Sequence, residues 1–167
     1  IDAGGGHTDF HTGLSNARSL RLVGTDLYYA SSTGIYVIHN SHAVTPDAYA
    51  SVITGRDVAS IALDGNDLYF IEREAGAGSE ARMVIRHTTL SNTTTVDTVA
   101  ERLWNAGRLF ALNGHVYWTN STTSGAGTPM GIAVTGGDAF AVGAYTVRLF
   151  WPLADGSFFV GQQLNSF

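Results

Sequence analysis

The chain has 167 residues, of which 44% are hydrophobic and 14% charged, with a formal net charge of -5; this suits a single domain, residues 1–167, with a sizeable core. All nine basic residues are Arg, a balance that argues against a nucleic-acid backbone as partner, because such binding rests on clustered basic side chains. No run approaches the roughly 18 apolar residues of a membrane-spanning helix, and the lack of Cys rules out disulfides, thiolate metal sites and a cysteine nucleophile.

In chain order, the opening "IDAGGGHTDFHTGL" (Ile1 to Leu14) has neither the charged nor the apolar region of a signal peptide, so any export signal is expected to be removed or left out. Set against "IAVTGGDAFAVGA" from Ile132, it reads as the end of a third strand, a Gly-rich turn and an outer strand. The first repeat follows. "SLRLVGTDLYYA" (Ser19 to Ala30) is an apolar strand, a tight Gly-containing turn and a returning strand with an aromatic pair, continued by "GIYVIHN" (Gly34 to Asn40) and "YASVITG" (Tyr49 to Gly55). The second unit is "SIALDGNDLYFI" (Ser60 to Ile71), "RMVIRHTTL" (Arg82 to Leu90) and "TTVDTVA" (Thr94 to Ala100). The third is "LFALNGHVYWT" (Leu109 to Thr119), "GIAVTGG" (Gly131 to Gly137) and "DAFAVGA" (Asp138 to Ala144). A looser fourth, "WPLADGSFFVG" (Trp151 to Gly161), leads into "GQQLNSF" (Gly161 to Phe167).

The pairs Tyr28-Tyr29, Tyr69-Phe70, Tyr117-Trp118 and Phe158-Phe159 recur at steps of 41, 48 and 42 residues, measured from Tyr28 to Tyr69 to Tyr117 to Phe159. A β-type period of this size is the signature of propeller blades, each a four-stranded antiparallel sheet. A β-sandwich has similar short strands but no reason to repeat an aromatic pair at this period. The fold expected is therefore all-β, a β-propeller of about four blades, three complete and one split between the termini. Joining Phe167 to Ile1 would finish a blade, either within one molecule or between molecules. Six to eight blades relax the wedge angle between sheets, which favours a larger ring or an oligomer assembling through terminal strands.

The apolar strand, Asp/Asn-Gly turn and aromatic pair, as in "LNGHVYWTN" (Leu112 to Asn120), resemble the repeats of bacterial TolB-like and NHL-like β-propellers. That resemblance implies a six- to eight-bladed scaffold, extracellular or periplasmic, whose members mostly bind proteins, peptides or glycans. It carries no catalytic motif onto this chain.

Both faces of a blade pack on its neighbours, so the aromatic pairs, Phe158 and Phe159 included, are expected in the core. His7, Asp9 and His11 share one face of a strand, but steps of about 7 Å are too long to share a metal without bending. "DGND" (Asp64 to Asp67) is hairpin-turn chemistry. "NTT" (Asn92 to Thr94) and "NST" (Asn120 to Thr122) are formal glycosylation acceptors. "GAGT" (Gly125 to Thr128) and "GGG" (Gly4 to Gly6) read as turns, with no helix following that could hold a phosphate. There is no Gly-x-Ser-x-Gly elbow. No catalytic residue, metal or cofactor is assigned.

What remains are the connecting loops, whose binding candidates are Arg56, Asp57, Arg102, Trp104, Asn105 and Asn120, with Trp104 between Arg102 and Asn105 composed like an interaction hot spot. The functional expectation is a non-enzymatic scaffold recognising a protein, peptide or glycan through its loops. A lectin-like propeller would repeat its pockets around the ring. A propeller hydrolase or lyase would need carboxylates or His at the axis, where the inner strands read as Leu, Ile, Ala and Phe.

Overall fold

The computed structural model describes residues 16–43, 48–74, 82–103, 105–121, 127–143, 147, 149–153, 155 and 157–161. Among these there is no helix, and the strands form four antiparallel sheets. The first sheet has β1 (Ser19–Val23), β2 (Asp26–Ser31), β3 (Gly34–Ile38) and β4 (Ala50–Thr54); the second has β5 (Asp57–Asp64), β6 (Asp67–Glu74), β7 (Arg82–Thr89) and β8 (Asn92–Leu103). The third has β9 (Ala106–Leu112), β10 (His115–Ser121), β11 (Gly127–Ala133) and β12 (Phe140–Ala141), and the fourth has β13 (Leu149–Pro152) and β14 (Phe158–Gly161). Strands lie side by side in sequence order within every sheet.

The first hairpin of each four-stranded sheet closes on a two-residue turn that uses left-handed backbone. Gly24 and Gly65 take φ of 60° at the first turn position, whereas Asn113 and Gly114, at 52° and 71°, both do. These are the primed turns whose twist matches that of the strands they join. The strands run close to expectation, with one displacement: β11 begins at Gly127, because Ser121 at the end of β10 pairs with it. Gly127 and Thr128 therefore open a strand instead of lying in a turn.

Period-2 alternation sorts each aromatic pair onto opposite faces. Tyr28, Ile35 and Val37 of the first sheet pack against Ile61, Leu68 and Phe70 of the second. From the second sheet's other face, Tyr69, Ile71 and Ile85 meet Leu109, Val116 and Trp118 of the third. Phe110 and Tyr117 of the third sheet then meet Phe150 and Phe158. The four sheets thus stack face to face in chain order with a core between each pair.

The last aromatic pair corrects one expectation, the burial of Phe159. In the first three sheets the first aromatic of the pair faces the following sheet, but Phe158 turns back onto Phe150 and Tyr117, with centroids 5.1 and 5.2 Å away. It takes the place of the second member, and Phe159, paired with Trp151 across the hairpin, is 55% exposed instead of buried.

The first strands of the sheets lie next to one another and are edge strands, so backbone groups on their open sides need partners from elsewhere. Two serines supply them. Ser19 Oγ accepts from Ile61 N–H at 3.3 Å, and Ser60 Oγ accepts from Leu109 N–H at 3.1 Å. Each serine stands four residues before the last residue of its strand, Val23 or Asp64. In the third sheet the same place is held by Arg108.

Candidate functional site: an arginine cleft among the first strands

The ends at which β1, β5 and β9 begin surround a cleft of about 400 Å³ that Trp151 of β13 also borders. Four of the nine arginines line it: Arg18, Arg21, Arg73 and Arg108. Local structure puts them there. Arg18 precedes β1, Arg21 and Arg108 lie within edge strands, and Arg73 lies on the β6 face that looks toward the third sheet, in step with Tyr69 and Ile71.

These cations are not equivalent. Arg18 is ion-paired with Asp57. Arg21 donates to the carbonyls of Leu20 at 2.8 Å and Leu109 at 2.9 Å, and its guanidinium lies 5.8 Å from the centre of the Phe110 ring. Leu109 therefore has its N–H satisfied by the second sheet and its carbonyl by the first. Burial, and then the like charge of Arg108, lower the Arg21 pKa from its ordinary value. Arg73 and Arg108 have no hydrogen-bond acceptor or carboxylate partner among the described residues. The cleft is thus electropositive in a chain of net negative charge, and its wall is aromatic where Phe110 and Trp151 meet at 5.0 Å.

The residues singled out from the sequence fall at several places. Asp57 reaches the cleft through Arg18. Asn120 lies in β10 opposite the cleft-lining Ala106; its Oδ1 is buried without a hydrogen-bond partner among the described residues, as is Trp118 Nε1 on the same strand face. Arg102 and Asn105 are exposed where β8 gives way to β9, both with left-handed backbone. Arg56 turns elsewhere, with Nη1 at 2.8 and 2.7 Å from the two oxygens of Glu72. Glu72 also accepts from Arg86 Nε at 3.0 Å, and Arg86 reaches on to Glu74 and Thr98. Trp104 and the His7, Asp9 and His11 group lie outside the described residues, as does the expected pairing of the two chain ends.

Sequence reasoning missed Arg18, Arg21, Arg73 and Arg108. A signal existed in Arg21 and Arg108, charged residues inside first strands at positions where the second unit has Ala62 and Ser60. No protein-family model matches the chain, and no curated protein matches it.

Proposed function

We propose that this chain is a non-enzymatic β-propeller, or a portion of one, that recognises an anionic ligand at the end of its axis where the first strands begin. The stacking supports the propeller: sheets of consecutive antiparallel strands lie face to face, first strands together, with the serine tie repeated at the same place from sheet to sheet. The observation that carries the recognition role is the convergence of four arginines on one cleft, of which only Arg18 has a carboxylate among the described residues and Arg73 and Arg108 have no acceptor there at all. Guanidinium groups suit planar anions through paired hydrogen bonds. Rigid sheets hold these groups in place before the ligand arrives, which limits the ordering penalty of binding.

Titration calorimetry of the chain with acetate, choline and glucose tests the reading. Acetate should bind measurably, the cation and the neutral sugar should not, and affinity for acetate should fall with added salt. An Arg73→Gln/Arg108→Gln variant should weaken acetate binding at least about tenfold. Equal binding of glucose and acetate, or full acetate affinity in that variant, would refute the proposal.

A further inference from the structure

A second hollow of about 180 Å³ adjoins the arginine cleft, walled in part by Ala62, Leu63, Ala111, Leu112 and Pro152. The two hollows share Arg21, Phe110 and Trp151. They follow one another along the strands. On β9, Ala106 to Arg108 border the arginine cleft, Phe110 borders both, and Ala111 and Leu112 border the smaller hollow. On β5 the order is the same, Ala59 and Ser60 and then Ala62 and Leu63. At about 3.3 Å per residue, the Cα atoms of Arg108 and Leu112 are roughly 13 Å apart. Apart from Arg21, which borders both hollows, the cations therefore lie where the first strands start and aliphatic carbon where they end, with the Phe110 and Trp151 rings, inclined at 61°, between them.

The charge available in the cleft is limited. Asp57 neutralises Arg18, and Arg21 is held by two carbonyls, which leaves Arg73 and Arg108 for a head of low charge. A bare anion would leave the aliphatic hollow in water, whereas an uncharged hydrocarbon would make no use of these two exposed cations. At about 30 Å³ per water-sized group, the smaller hollow holds about six such groups, the size of a phenyl ring.

We infer that this site takes a carboxylate carried on a compact apolar group, with the carboxylate between Arg73 and Arg108 and the apolar part beyond Phe110 and Trp151. An arylalkanoate and the free carboxyl terminus of a peptide ending in an apolar residue share this chemistry. The inference rests on the cleft being an anion-recognition site and adds a second, apolar arm to it.

The test is calorimetry of the full chain with 3-phenylpropionate, acetate and 3-phenylpropionamide. The aryl acid should bind about ten- to a hundredfold tighter than acetate, from burial of its ring. It should also bind at least about tenfold tighter than its amide. Trp151→Ala, at a half-exposed position, should remove most of the advantage of the aryl acid over acetate; Arg108→Gln should weaken both acids. A peptide ending in phenylalanine, as free acid and as amide, separates the sources: a free acid tighter than 3-phenylpropionate assigns the peptide terminus, the reverse assigns the small molecule, and either order supports the inference. Acetate binding as tightly as the aryl acid in the unaltered chain would overturn the apolar arm while sparing the anion site. Amide binding as tightly as acid, or no binding of any anion, would overturn both.

Discussion

Replacing Ser60 by Ala isolates the tie between the second and third sheets. Ser60 is 7% exposed and Leu109 fully buried, so no water stands ready to replace the hydroxyl that accepts from Leu109 N–H at 3.1 Å. The volume lost is one oxygen, which makes the main effect an orphaned amide between two sheets, worth about 1–3 kcal/mol. At roughly 2–4 °C per kcal/mol for a domain of this size, Ser60→Ala should lower the midpoint of thermal unfolding by about 2–12 °C. Hydrogen exchange gives a local reading: the Leu109 amide should exchange faster relative to the β9 amides that pair with β10. Ser19→Ala should do the same to Ile61 more mildly, because that bond is longer at 3.3 Å. A Ser60→Ala midpoint within about 1 °C of the parent, with Leu109 exchange unchanged, would refute the argument that these hydroxyls satisfy the open edges.

Gly34→Ala should cost about 2–4 kcal/mol in denaturant unfolding, from backbone strain and overpacking together. The reason is local: Gly34 has φ of 153°, and a Cβ there would lie 2.0 Å from the Ile53 carbonyl oxygen. Glu72→Gln should lose about 1–3 kcal/mol, since a buried carboxylate serves both Arg56 and Arg86. Arg56→Gln, with a side chain about a third exposed, should lose about 1 kcal/mol or less, and a larger loss than for Glu72→Gln would contradict this ordering. Burial, followed by the charges of Asp67 and Asp64, pushes the Tyr69 pKa up from 10.0 to about 12. The folded state then holds this proton after the unfolded chain has released it, so the associated stability is full below pH 10 and declines as pH rises toward 12. Thermal unfolding across that window should fall less steeply in Tyr69→Phe than in the parent, and equal slopes would speak against the linkage.

The sheet sequence was legible because its signals are local. Gly65 in a two-residue turn and Tyr69-Phe70 on the returning strand specify a hairpin with two buried faces, whatever else the chain does. Phe158-Phe159 defeated the same reading, because which face an aromatic takes depends on register with β13, and a one-residue shift exchanges inside for outside. The arginine cleft was harder still. Arg18, Arg73 and Arg108 come from three places far apart in the chain, and only the stacking of sheets brings them to one opening. Arg56 shows the reverse: a charged residue in a connecting loop looks available in sequence, yet Glu72, on the neighbouring strand β6, holds it.

Arg108 stands where Ser19 and Ser60 act as fasteners, and it has no acceptor among the described residues. The joint after it, between the third and fourth sheets, packs Phe110, Tyr117, Phe150 and Phe158 together, and its backbone tie lies at the far end of the third sheet, where Gly127 and Val147 exchange hydrogen bonds of 3.0 and 2.8 Å. Without a serine tie along its first strand, the two-stranded last hairpin should open more readily than the four-stranded sheets before it. Trp151 rides on that hairpin. Its excursions would widen and narrow the mouth of the cleft without disturbing the sheets behind it.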